Sequence, residues 1–120
     1  MLLNKELDQN KIQYKIQKYD SNIYIYKIPN KANIVTITAK TNIFLLDRDL
    51  FYYLSNQNEM YSFVLKSKDD NQIYYLEFKN KINWLNSSFE TCNKEELYFG
   101  KIILNNKSNI RTIIDKIKKY

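Results

Sequence analysis

The chain has 120 residues, of which 44% are hydrophobic and 15% aromatic, and this is enough apolar material for the core of one domain. It has no histidine and one cysteine, which argues against a transition-metal site, an internal disulfide and catalysis by a histidine base. A single glycine is too few for a glycine-rich phosphate loop, which excludes nucleotide binding of the P-loop or Rossmann type.

The sequence also indicates the cellular location of the protein. No run approaches the roughly 18 consecutive apolar residues of a membrane span, and the first residues, MLLNKE, lack the apolar stretch of a signal peptide. We therefore expect a cytoplasmic protein that needs no cofactor and binds no membrane.

The distribution of charge says more about partners than the net charge of +6. Asn, Ile, Lys and Tyr make up 60 of the 120 residues, and A/T-rich codons encode all four, so codon bias alone raises the lysine content. Codon bias does not sort charge along a chain, however. Residues 1–40 carry +4, residues 41–100 carry −3 and residues 101–120 carry +5. Both ends are basic and the middle is acidic.

Three strands are predicted in the first third of the chain. Ile12, Tyr14 and Ile16 alternate with Lys and Gln, which predicts a strand over 11–18 with one solvated face. Runs of β-branched and aromatic residues predict an interior strand over 23–28 and a third strand over 34–38. Turn residues separate the three, which favours an antiparallel meander.

A short helix and a hairpin are predicted next. Asp47 is a candidate N-cap for a helix in which Leu50, Phe51 and Leu54 share one face. Strands over 61–66 and 73–79 flank the polar segment 67–72 and predict a hairpin. Residues 81–96 carry no clear pattern and are expected to be irregular, with Asn93 as a possible cap of one turn. A last strand is predicted over 101–104.

The carboxyl-terminal segment has the strongest helical pattern. Ser108 is the candidate N-cap, and isoleucines at positions 110, 113, 114 and 117 form a stripe at helical spacing. The predicted fold is a single α+β domain over residues 1–120. It combines a mainly antiparallel sheet of about six strands, a short inserted helix and a carboxyl-terminal amphipathic helix packed on one face of the sheet.

Lysines and tyrosines on the predicted sheet indicate a surface for nucleic acid. A sheet face that mixes the two residue types can neutralise phosphates and stack bases, and the terminal helix can add further cations. The candidate residues for binding nucleic acid or a protein partner are Lys11, Lys15, Lys18, Tyr24, Tyr26, Arg111, Lys118 and Lys119. The alternative is an ordinary solvent-exposed surface rich in lysine, with the tyrosines buried in the core.

A triplet at the end of the hairpin carries a second hypothesis. Glu77 and Lys79, in Glu77-Phe78-Lys79, lie on one face of the predicted strand, about 7 Å apart. The triplet resembles the E-x-K element of PD-(D/E)xK nucleases. That resemblance implies that Glu77 binds Mg²⁺ and Lys79 orients a water, with Glu59 as the nearest candidate for the family's first acid. The alternative explanation is a solvent-facing Glu and Lys on an edge-like strand, since E-x-K triplets occur by chance in most charged proteins.

The sequence as a whole favours a binding protein over an enzyme. A charge-sorted surface without a catalytic motif is typical of a protein that docks on a macromolecule. Size and composition suit an accessory or inhibitory protein of a phage or mobile element, such as an inhibitor of a CRISPR effector, acting on a nucleic-acid-handling complex or on its nucleic acid. The alternatives are the Mg²⁺-dependent nuclease and a structural subunit that oligomerises through its tyrosine face.

Overall fold

A computed structural model of the chain describes residues 2–57, 59–78, 90–91, 96–99 and 107–119. The helices are α1 (Asn4–Gln9), α2 (Arg48–Asn56) and α3 (Ile110–Lys119). The strands are β1 (Lys15–Asp20), β2 (Ile23–Lys27), β3 (Asn33–Ala39), β4 (Leu45–Asp47), β5 (Tyr61–Ser67), β6 (Ile73–Phe78), β7 (Glu90–Thr91), β8 (Glu96–Tyr98) and β9 (Lys107–Ser108). The predicted strand over 101–104 and the predicted turn at Asn93 lie outside the described residues.

The strands form two sheets. The larger has six strands in the order β1-β2-β3-β5-β6-β9, and the smaller has the order β4-β8-β7. Neighbouring strands are antiparallel except β3 and β5, which are parallel. Parallel pairing requires a long connection, and β4 and α2 supply it by returning the chain to the end of the sheet where β3 began. The predicted α+β class with a mainly antiparallel sheet is confirmed.

Apolar side chains cover both faces of the large sheet. On one face, which we call the α2 face, Phe63 and its neighbours pack against α2 and against Phe44, Leu46 and Phe99 from the segments of the small sheet. On the other, which we call the helical face, the core combines residues of β2, β3 and β5 with α1 and the α3 isoleucines. The terminal helix therefore closes one side of the domain, as its stripe predicts.

Most predicted elements of the first 80 residues are confirmed. β1, β2 and β3 form the antiparallel meander, and β5 pairs with β6 as the hairpin. The Asp47 carboxylate accepts a hydrogen bond from the Asp49 amide and caps α2, in which Leu50, Phe51 and Leu54 are buried. Among the described residues, no helix combines the length and the apolar composition that crossing a membrane requires.

The differences from prediction lie at element ends and in short elements. β1 starts at Lys15 because α1, which the sequence did not predict, ends in a turn through residue 12. Residues 90–91 and 96–98 are strands although the segment 81–96 was expected to be irregular. Ser108 belongs to β9, and Asn109 caps α3 instead, since its side-chain oxygen accepts a hydrogen bond from the Thr112 amide.

Tyr26 is expected to fasten the amino-terminal segment to the sheet. Its buried hydroxyl accepts a hydrogen bond from the Leu3 amide at 2.8 Å and donates one to the Asn4 side chain at 2.5 Å. Replacing Tyr26 by Phe leaves the Leu3 amide without its partner, which should cost about 1–3 kcal/mol of unfolding free energy. Chemical denaturation measures this loss, and Tyr24→Phe is the matched control on the same strand. An equal loss in the control would contradict the assignment.

Candidate nucleic-acid interface

The turn between β2 and β3 fixes the position of Lys31. Pro29 and Asn30 are its central residues, Asn30 has a φ of 62°, and the Lys31 amide donates a hydrogen bond to the Ile28 carbonyl at 3.2 Å. Proline followed by a residue with positive φ is the pattern of a type II turn. The turn leaves Lys31 at the end of the large sheet where β1 and β5 begin.

The end of α1 brings two more lysines to this edge. The Lys11 amide donates to the Asp8 carbonyl and the Ile12 amide to the Leu7 carbonyl, which is the Schellman pattern of a helix C-terminus. Lys11 occupies the left-handed position, with φ of 56°. The chain then enters β1, so that Lys11 and Lys15 line one shallow groove with Tyr14 and Pro29.

The end of α3 reaches the same edge from the other terminus of the chain. The Lys31 ammonium donates a hydrogen bond to the Lys118 carbonyl at 3.2 Å, a favourable contact because a helix C-terminus carries partial negative charge. Two residues earlier, the Lys116 ammonium lies 4.9 Å from the centre of the Tyr75 ring. Lys31 therefore joins the two basic ends of the sequence.

We call this edge the basic rim. It consists of six lysines from four segments, together with three carboxylates in the same grooves, those of Asp8, Glu59 and Glu77. The excess of positive charge is therefore three. The lysines are Lys11, Lys15, Lys27, Lys31, Lys116 and Lys118.

One lysine of the rim is already neutralised. The Lys27 ammonium lies 2.9 Å from a carboxylate oxygen of Glu59, which also accepts hydrogen bonds from Asn33 and, at 3.4 Å, from Tyr61. The hydrogen bond from Lys27 holds the pKa of Glu59 below its usual value. Among the described residues this is the one ion pair within 4 Å, so no described carboxylate neutralises the other rim lysines within that distance.

The structure gathers some of the predicted binding residues and separates others. Lys11, Lys15 and Lys118 meet at the basic rim, and Lys119 is exposed in the last turn of α3. Lys18 lies three residues further along β1, about 10 Å away. It also lies on the face opposite to Lys15, since Lys15 pairs with Lys27 and Lys18 with Tyr24. Arg111 is in the first turn of α3, about 10 Å from Lys118.

The predicted tyrosines occupy the core side of the sheet. Tyr26 is fully buried and Tyr24 is half-buried, both in the helical-face core. Burial raises the pKa of Tyr26 and removes its ring from any base. Residues of α1 and the α3 isoleucines pack on the same face of the sheet as these tyrosines. Tyr14, half-buried at the rim, is the tyrosine that lies beside Lys11 and Lys15.

The residues of the nuclease hypothesis do not converge. Glu77 pairs across the strands with Ser62 on the helical face, whereas Glu59 bonds to Lys27 and Tyr61 beside the α2 face. Lys79 lies outside the described residues. Within the described ranges, no three Asp, Glu or Cys side chains gather closely enough to hold a metal ion.

A cavity of about 200 Å³ opens at the rim beneath α3. Ala32, Ile34, Met60 and Ile117 form its apolar walls, and Lys31, Lys116 and Glu77 lie among its polar lining. Neither this cavity nor the role of Lys31 was predicted from the sequence. The position of Lys31 was predictable from the antiparallel meander, because the meander places the turn at 29–31 beside the start of the first strand. No sequence pattern indicates where α3 crosses the sheet.

The chain was also compared with models of protein families, with curated proteins and with solved structures. None of the three comparisons found a match.

Proposed function

We propose that the protein binds single-stranded nucleic acid, or the exposed strand of a nucleoprotein complex, along the basic rim. The observation that carries this proposal is the convergence of the two basic ends of the sequence, through Lys31, on one edge of the sheet. Lysines that are distant in sequence lie side by side in the fold and form one positive surface. Such a surface is expected of a protein that binds a polyanion.

The residue types at the rim favour a strand whose bases are accessible. Lysine ammonium groups neutralise phosphates as point charges and do not read base edges in the planar manner of arginine. Tyr14, beside Lys11 and Lys15, presents part of an aromatic ring, and such rings stack on unpaired bases. The role of a phage or mobile-element accessory protein, including inhibition of a CRISPR effector, stays a prediction from composition.

The salt dependence of binding tests this function. Each neutralised phosphate of a single strand contributes a slope of about −0.7 to log K against log salt. Contacts from three to five free lysines should therefore give a slope of about −2 to −4. Fluorescence anisotropy with a labelled single strand of mixed sequence, between about 50 and 200 mM salt, measures the slope. Absence of binding at the lowest salt would refute the proposal.

A further inference from the structure

We infer that the cavity beneath α3 is a pocket for one nucleobase of the bound strand, and that it prefers guanine. This inference deepens the proposed function and rests on it. The cavity volume of about 200 Å³ is smaller than the roughly 300–1,000 Å³ of sites for drug-sized ligands. It suits a single planar ring system.

The walls of the cavity match the faces of a base. Ile34 belongs to β3, and Ala32 comes just before that strand. Met60 comes just before β5, and Ile117 belongs to α3. Met60 is 48% exposed although its thioether is apolar, which leaves a flexible, polarizable side chain at the pocket for the face of a ring. A base that leaves its stack can be held between aromatic or apolar side chains.

The positive charge at the pocket selects a ligand that carries phosphate. Lys31 and Lys116 both line the cavity, and neither forms an ion pair with the described residues. A base that enters the pocket carries its sugar and phosphate at the mouth, where these ammonium groups can reach them. Charge complementarity therefore favours a nucleotide over an uncharged apolar ligand.

Glu77 supplies the preference among bases. Its half-buried carboxylate lines the pocket and makes no hydrogen bond or ion pair with the described part of the chain. An ionised carboxylate only accepts hydrogen bonds, and its two oxygens match two adjacent donors. Guanine presents two adjacent N–H donors on its Watson–Crick edge, whereas thymine presents one N–H between two carbonyl oxygens that repel a carboxylate.

Oligonucleotides that differ at one base test the pocket. The probe is a labelled oligothymidylate of about twelve nucleotides, compared by anisotropy with the same strand carrying one central guanine, inosine or adenine. We expect the guanine strand to bind about tenfold more tightly than the thymine strand, the size of effect that a good bidentate contact provides. Inosine lacks the 2-amino donor and should fall between the two.

Two variants with the same change of charge locate the effect. Glu77→Gln should remove most of the preference for guanine, because the Gln amide group meets the donors of the base with a donor of its own. Asp115→Asn removes the same charge from the exposed side of α3 and should keep the preference. Competition by guanosine monophosphate against the labelled strand tests whether the pocket takes the base of a free nucleotide or only that of a strand.

The outcomes separate this inference from the proposed function. If all strands bind equally and with the expected salt slope, the basic rim stands and the guanine pocket is wrong. If Glu77→Gln retains the preference for guanine, the pocket is likewise wrong. If no strand binds at low salt, the proposed function fails and the pocket fails with it.

Discussion

Replacing Ile113 by alanine is expected to lower the free energy of unfolding by about 2–5 kcal/mol. Ile113 is fully buried in α3 and packs into the helical-face core. Alanine would remove buried methyl and methylene groups and leave a cavity that the rigid sheet cannot fill. This is a large share of the about 5–15 kcal/mol that holds a domain of this size folded. Chemical denaturation followed by circular dichroism measures the change.

Thr112 provides the control for this prediction. It is exposed on the same helix, and its contact with Asn109 uses the backbone amide, which alanine retains. Thr112→Ala should therefore change stability by less than about 0.5 kcal/mol. If Ile113→Ala had an effect as small as this, α3 would be a detachable arm and not part of the core.

Reversing charge at the basic rim is expected to have the largest effect on binding. Lys15 and Lys118 are exposed and come from opposite ends of the chain. The double variant Lys15→Glu, Lys118→Glu should bind a single strand at least about tenfold more weakly at low salt, and its salt slope should be shallower by about 0.7 for each lost phosphate contact. Anisotropy titrations at two or more salt concentrations measure both quantities.

The control keeps the same change in net charge and moves it away from the rim. Lys18 and Arg111 are exposed but lie on a different part of the surface from Lys15 and Lys118. The variant Lys18→Glu, Arg111→Glu should keep the wild-type salt slope and lose much less affinity. Equal losses in both double variants would mean that net charge alone, and not the basic rim, attracts the strand.

Sequence patterns predicted the helices and strands that are determined by neighbouring residues. The isoleucine spacing of α3, the Asp47 cap and the alternation in β5 and β6 each depend on a few adjacent residues. Two of the features that escaped prediction lack a local signal. The parallel pairing of β3 with β5 depends on how the connection through α2 packs. α1 and the residue that precedes it bury only Leu7 and Leu3, too few for a periodic signal.

The candidate site was predictable in part for the same reason. The charge distribution along the sequence shows that both ends are basic. It therefore predicts that the lysines of β1 belong to a basic surface. Their union with α3 is a tertiary feature, set by the packing of the α3 isoleucines on the sheet and seen in the contact between the Lys31 ammonium and the Lys118 carbonyl. Tyr26 was misplaced because a tyrosine that alternates with isoleucine along a strand looks the same in sequence whether water or a second layer covers its side of the sheet. Here α1 covers it.

The most direct test of the account is a map of the backbone amides that respond to a single strand. The basic rim lies at one end of the sheet, and the turns at 20–22 and 67–71 lie at the other. We expect an oligonucleotide to shift the NMR signals of residues 11–15, 27–32 and 116–118 and to leave those of both distal turns unchanged. Shifts confined to the distal turns, or no shifts at low salt, would contradict the assignment of nucleic-acid binding to the basic rim.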